Sequence, residues 1–98
     1  MTTPAVSVVM PVRDGAPWLS EACLSILGQS LTNLELIVID DGSSDASPDI
    51  LSALAAADRR LRWQRQAPLG LVAALDHGLG LAEAPLLARL DADDVALP

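Results

Sequence analysis

At 98 residues the chain is sized for one small domain, and a hydrophobic content of 51% supplies enough apolar surface to offset the entropy of ordering it, which excludes intrinsic disorder. Six basic residues, all arginine, stand against 13 acidic ones for a formal charge of −7, and only Trp18 and Trp63 are aromatic, so a nucleic-acid partner is excluded on charge and on stacking material alike. The lack of lysine removes Schiff-base and P-loop chemistry, and a single cysteine, Cys23, removes an internal disulfide.

Val6 to Met10 is a short β-branched run closed by Pro11, and Leu34 to Ile39 is a second, closed by Asp40, Asp41 and Gly42. Both are continuous rather than alternating in polarity, as parallel strands covered on both faces are. Between them Trp18 to Gln29 sets Leu19, Cys23, Ile26 and Leu27 on one face of a helix, with Pro17 at its first position. A strand, a helix and a strand make a right-handed crossover.

The unit then repeats. Ser47 is placed to cap a second helix, Pro48 and Asp49 suit its first turn, and Ile50, Leu54 and Ala57 share a face. Leu61 to Arg65 predicts a third strand, and Arg62 and Arg65 mark it as an edge. After Pro68 and Gly70, the face Leu71, Leu75, Gly78, Leu79 and Ala82 predicts a third helix, weakened by Gly78 and Gly80 unless close packing on the sheet requires them. Leu86 to Leu90 is a fourth strand. The order βαβαβαβ is that of a doubly wound α/β layer with a mainly parallel sheet, one domain over residues 1–98.

The N-terminal stretch MTTPAVSVVM has no charged leader, and no run approaches the ~20 apolar residues that cross a bilayer. These features read as a cytoplasmic chain without a membrane segment. Cys23, on an apolar helix face, reads as a small core residue, and His77, with no Cys or second His at ligand spacing, as one that faces solvent or acts through a neighbour.

Ligands of open parallel sheets bind beyond the carboxyl ends of the strands. The acids fall there: Asp14 after the first strand, Asp40 and Asp41 after the second, Asp91, Asp93 and Asp94 after the fourth. Clusters converging on one edge would repel by about 1 to 4 kcal/mol per close pair. That repulsion calls for a cation, and hard oxygen ligands select Mg²⁺, Mn²⁺ or Ca²⁺. A metal held by one or two carboxylates with open positions suits a nucleoside diphosphate. Asp45 and Asp49 read instead as ordinary turn and capping residues.

Val8 to Val12 with Arg13 and Asp14, then Leu27, Gly28 and Gln29, then LELIVIDDGSSD at 34–45 and LGLVAALDHGLGLAEAPLLARLDADD at 69–94 resemble the nucleotide-binding half of family 2 glycosyltransferases of GT-A fold. The resemblance covers nearly the whole chain. It implies a Rossmann-like sheet and an enzyme that moves a sugar from a nucleoside-diphosphate donor to an acceptor, with inversion and with Mg²⁺ or Mn²⁺ present. By position, Pro11, Val12 and Arg13 would touch the nucleoside, with Asp14 beside them, and Asp41 would hydrogen-bond the base, which favours a UDP-sugar. Asp91 and Asp93 form a DxD element, Asp93 ligating the metal and Asp91 reaching the ribose or assisting.

The sequence departs from that pattern at Asp14 and Asp76, where Asn is usual, and at Ala84 and Pro85, which replace a Gly and a polar residue. Arg13 and Arg89 could face donor phosphates or balance nearby carboxylates. The resemblance also implies an acceptor-binding half, with a carboxylate general base beyond Pro98, so the chain is expected to be a truncated donor-binding fragment. The alternative is a non-catalytic nucleotide-binding or self-associating module, since a sheet cut after its fourth strand leaves an edge through which a homo-oligomer is expected to form.

DADDV at 91–95 also matches the nucleophile motif of haloacid dehalogenase phosphatases, but no lysine follows it. The turn PVRDGAPW has one glycine where a dinucleotide fingerprint needs three.

Overall fold

The two continuous apolar runs become the inner strands of a parallel sheet. The computed structural model describes residues 4–28, 33–84 and 86–89. In chain order these form β1 (Val6–Val12), α1 (Ala16–Leu27), β2 (Leu34–Asp41), α2 (Ser47–Ala57), β3 (Leu61–Gln66), α3 (Leu71–Leu81) and β4 (Leu86–Arg89). The sheet order is β3-β2-β1-β4 with every pairing parallel, the doubly wound α/β layer expected. β3, with its arginines, is an edge, and the strand order reverses between β1 and β4.

β2 is buried at all eight positions because helices cover both faces. Met10, Val12, Leu36 and Val38 pack with Leu19, Cys23, Ile26 and Leu51 beneath α1 and α2. Ile37 and Ile39 pack with Ala74 beneath α3 on the opposite face. Each such side chain contributes about 1.5–3 kcal/mol by leaving water.

Several details differ from the sequence expectation. β1 does not stop at Pro11 but runs through it to Val12, opposite Ile39 and Asp40 of β2. The described β4 pairs only as far as Val9, so the missing N–H of Pro11 breaks no described ladder on that side. Ser47 is the first residue of α2 rather than its cap; Ala46 is the N-cap, and the Ser47 N–H donates to Asp45 Oδ1 at 2.9 Å. Asp45 Oδ2 also accepts from the Ala16 N–H at 3.1 Å, so one carboxylate ties the starts of α1 and α2 together.

On α2, Ala57 is exposed and Leu51 fills the core position. On α3, Leu71 and Leu79 are exposed, and the buried residues are Ala74 and Gly78. The helix approaches so closely that a Cβ on Gly78 would overlap Val9 Cγ1, so small residues face the strands along its middle, and Leu81 at its end packs against the Ile37, Ile39 and Ala74 cluster. A Cβ on Gly80 would meet nothing within 4 Å, so close packing does not account for that glycine.

Opposite the carboxyl edge, Glu35 is buried beside Ser7, its neighbour across β1 and β2. Glu35 accepts from Ser7 Oγ at 2.5 Å, the Glu83 N–H at 2.7 Å and Arg62 at 2.8 Å, and Ser7 Oγ accepts from the Ala84 N–H at 3.0 Å. Burial pushes the Glu35 carboxyl pKa up, but these donors outweigh it and hold the group below its usual range. The network fastens the connection that leads from α3 into β4.

Candidate functional site

At the carboxyl edge of the sheet, Pro11, Val12, Arg13, Asp41, Gly70 and Leu71 enclose an open cavity of about 240 Å³. The ends of β1 and β2 form one side, and the start of α3 forms the other. This is where ligands of open α/β sheets sit.

Asp41, the last residue of β2, is nearly buried and satisfied by the turn that precedes α3. Its Oδ1 accepts from Gln66 Nε2 at 2.8 Å and the Leu69 N–H at 2.9 Å, and the Gly70 N–H lies 3.1 Å from Oδ2. The Gln66 amide above all, then the Leu69 and Gly70 amides and the Arg13 charge, outweigh desolvation and hold the Asp41 carboxyl below its usual range. The group is therefore an ionised acceptor at the cavity wall.

Two glycines make this geometry accessible. Gly42 leaves β2 at φ +70°, and a Cβ there would come within 2.7 Å of Pro68 Cδ. Gly70, at φ +104°, turns the chain into α3 beside Asp41. Behind the wall, His77 Nδ1 on α3 lies 3.1 Å from Gln66 Oε1.

The neighbouring acids are spent inside the protein. Asp40 is fully buried, accepts from the Ser43 N–H at 3.3 Å and has Arg65 Nε 3.7 Å from its Oδ2. Arg65 also donates to the Ser43 carbonyl at 2.8 Å. Asp14 sits at φ +53°, donates its N–H to Ser43 Oγ at 2.8 Å and accepts from the Ser44 N–H at 2.8 Å. The convergence of acids at this edge was expected to require a cation; the Asp14 carboxylate instead accepts from Ser44, and Asp40 has the Ser43 amide on Oδ1, while its buried Oδ2 has no hydrogen-bond partner and is balanced by the Arg65 guanidinium 3.7 Å away. Among the described residues no group of three or more His, Cys, Asp or Glu could hold a metal.

Of the residues singled out in the sequence, Pro11, Val12, Arg13 and Asp41 line one cavity, whereas Asp14 braces the turn behind it. Asp91, Asp93 and Asp94 lie outside the described residues. Arg89, the last described residue of β4, pairs with Val9 of β1. Gln66, Gly70 and Leu71 were not expected in the site; the one signal for them is that a carboxylate ending a buried strand needs N–H donors, which a Gly turn entering a helix can supply. No helix among the described residues is long and apolar enough to cross a membrane.

Residues 7–98 match the model of the family described as glycosyl transferase family 2. An uncharacterized glycosyltransferase of Haemophilus influenzae is 38% identical over 95 residues, 96% of this chain and 38% of that protein. The glycosyltransferase GlyG of Streptococcus pneumoniae is 35% identical over 91 residues, 92% of this chain and 30% of that protein. The chain thus spans between about a quarter and two fifths of the length of curated relatives that it matches. Among solved structures, the mannosyltransferase PcManGT of Pyrobaculum calidifontis, in complex with GDP-Man and Mn²⁺, superposes with a TM-score of 0.87 at 26% identity, over 97% of this chain and 29% of that one. TarS of S. aureus, in complex with UDP-GlcNAc, superposes with a TM-score of 0.83 at 23% identity, over 92% of this chain and 27% of that one, and shares the fold.

Proposed function

This chain belongs to glycosyl transferase family 2, and from that membership we propose that it binds the nucleoside-diphosphate end of a sugar donor for transfer to an acceptor. The observation that carries the reading is the ionised Asp41 held at the wall of a cavity that it lines together with Pro11, Val12 and Arg13. In this reading Pro11 and Val12 pack against the nucleoside and Arg13 lies toward the phosphates. Asp41 Oδ2, which has fewer protein donors than Oδ1, accepts an N–H of the base. The uracil edge offers such a donor, and a UDP-sugar is the favoured ligand. Asp14 acts by shaping the turn behind Arg13.

Asp93, assisted by Asp91, would hold Mg²⁺ or Mn²⁺. The ion, when bound, supplies Lewis-acid stabilisation of charge on the departing diphosphate. An inverting transfer also needs a carboxylate to take the acceptor's proton. Among the described residues Asp41 is the one acid lining the cavity, and it is committed to Gln66, Leu69 and Gly70. We therefore assign these 98 residues to donor binding and the acceptor half, with its base, to other residues of a longer transferase.

Calorimetric titration of UDP and GDP, with and without Mn²⁺, tests the reading. Asp93→Ala should abolish the metal-dependent part of binding. Asp41→Asn, which removes the charge and replaces one acceptor oxygen by an N–H donor, should weaken UDP by about 1.5–3 kcal/mol, the range for a hydrogen bond to a charged group. Metal-independent behaviour that is equal in all three proteins would favour a self-associating module, paired through the β4 edge where Leu87 is exposed.

A further inference from the structure

We propose that His77 is a positioning residue for the cavity, acting through Gln66 to set the Asp41 carboxylate and the wall that Gly70 and Leu71 form. This rests on the reading of the cavity as the donor site, and the argument itself follows from hydrogen-bond polarity. An ionised carboxylate only accepts, so the 2.8 Å contact between Asp41 Oδ1 and Gln66 must be a bond donated by the Gln66 amide nitrogen. That orientation turns Gln66 Oε1, which also only accepts, toward His77 Nδ1 at 3.1 Å. His77 Nδ1 must then carry the proton.

The chain of donors therefore runs one way, from His77 Nδ1–H to Gln66 and from Gln66 to Asp41. Flipping the amide would break both bonds. The three residues belong to three elements: Asp41 closes β2, Gln66 closes β3, and His77 lies on α3 beside Gly78, where the helix is pressed against β1. The link spans the turn 67–70 from behind, while the Leu69 and Gly70 amides grip the same carboxylate from within the turn. Oδ1 is held by Gln66 and Leu69, whereas Oδ2 takes the Gly70 N–H alone and so has more capacity for a ligand N–H. None of this requires His77 to touch the ligand.

His77 is the chain's one histidine, so its ring can be observed alone. In ¹⁵N spectra of the neutral ring, Nδ1 is expected to be the protonated nitrogen. Protonation at Nε2 would overturn the proposal. The second measurement compares His77→Ala with His77→Asn, whose amide nitrogen sits close to the position of Nδ1 and can donate. The alanine variant should shift the Leu69 and Gly70 amide resonances and weaken UDP about five-fold, as for the loss of one hydrogen bond's support. The asparagine variant should restore both.

Unchanged amide shifts in His77→Ala, or an asparagine variant that behaves like the alanine one, would show that the ring merely packs and would refute the relay. The tautomer and the amide shifts need no ligand. A failure of the wild-type chain to bind UDP would thus count against the donor-site reading and leave the relay to be judged on those two observables.

Discussion

Replacing Gly78 with alanine inserts a methyl group where Val9 Cγ1 already lies. Val9 is fully buried in β1, and its branched side chain has little rotamer freedom to give way. Overpacking of this kind costs about 1–3 kcal/mol. Alanine returns about 1 kcal/mol of helix propensity relative to glycine. With the overlap at the severe end of the range, the net loss is about 2 kcal/mol. Gly80→Ala, two residues on in the same helix, meets nothing within 4 Å. It receives the propensity gain of about 1 kcal/mol with no clash.

The same chemical change should therefore move stability in opposite directions. At about 4–8 °C per kcal/mol for a chain of this size, thermal melts should place Gly78→Ala roughly 10 °C below wild type and Gly80→Ala roughly 5 °C above it. Urea unfolding followed by circular dichroism gives the corresponding free energies. Adding Val9→Ala to the Gly78 variant should recover part of the loss, a non-additivity expected only of residues in contact. A Gly78→Ala protein as stable as Gly80→Ala would refute the claim that this helix is positioned by its smallest residues. Because α3 begins with Leu71 at the cavity wall, displacing the helix from β1 would also disturb the site.

Acid should destabilise the protein through Asp41 and Glu35, whose carboxyls are held below their usual ranges by native donors. A depressed carboxylate contributes its stabilisation fully above the unfolded pKa of about 4 and loses it as pH falls through the lower folded value. Urea unfolding from about pH 6 to pH 2.5 should show that decline, and it should be shallower in Asp41→Asn, where one of the two groups no longer titrates. Parallel curves for the two proteins would contradict the assignment. Cys23 is buried and its thiol pKa is pushed up to about 12 by desolvation, so almost no thiolate exists at neutral pH. Ellman's reagent should leave the native protein unlabelled and react with one thiol in urea; rapid native labelling would place Cys23 outside the core.

The donor-side constellation was half legible in the sequence. Pro11, Val12, Arg13 and Asp41 follow the ends of strands that hydrophobic runs announce, and parallel strands carry their carboxyl ends to a common edge. Gln66, Gly70 and Leu71 were not legible. They reach Asp41 across 25 to 29 residues of chain for Gln66 and Gly70, through a turn whose course depends on where α3 lands. Asp14 and Asp40 show the converse. They stand at positions that suggest a charged rim, yet Ser43 and Ser44 hold Asp14 in its turn, and Asp40 is buried against the Ser43 amide and the Arg65 charge.

Local composition, then, is enough to determine which segments are strands and helices, that the sheet is parallel, and which edge carries the acids, because these follow from periodicity, β-branching and the direction of the crossover. Tertiary structure alone decides which face of α3 is buried, that β1 continues through Pro11, and which oxygens of Asp41 remain for a ligand. The continuation of β1 depends on where the described β4 ladder stops; the other two depend on how α3 docks on β1, and Gly78 permits the close approach by lacking the side chain that would meet the branch of Val9.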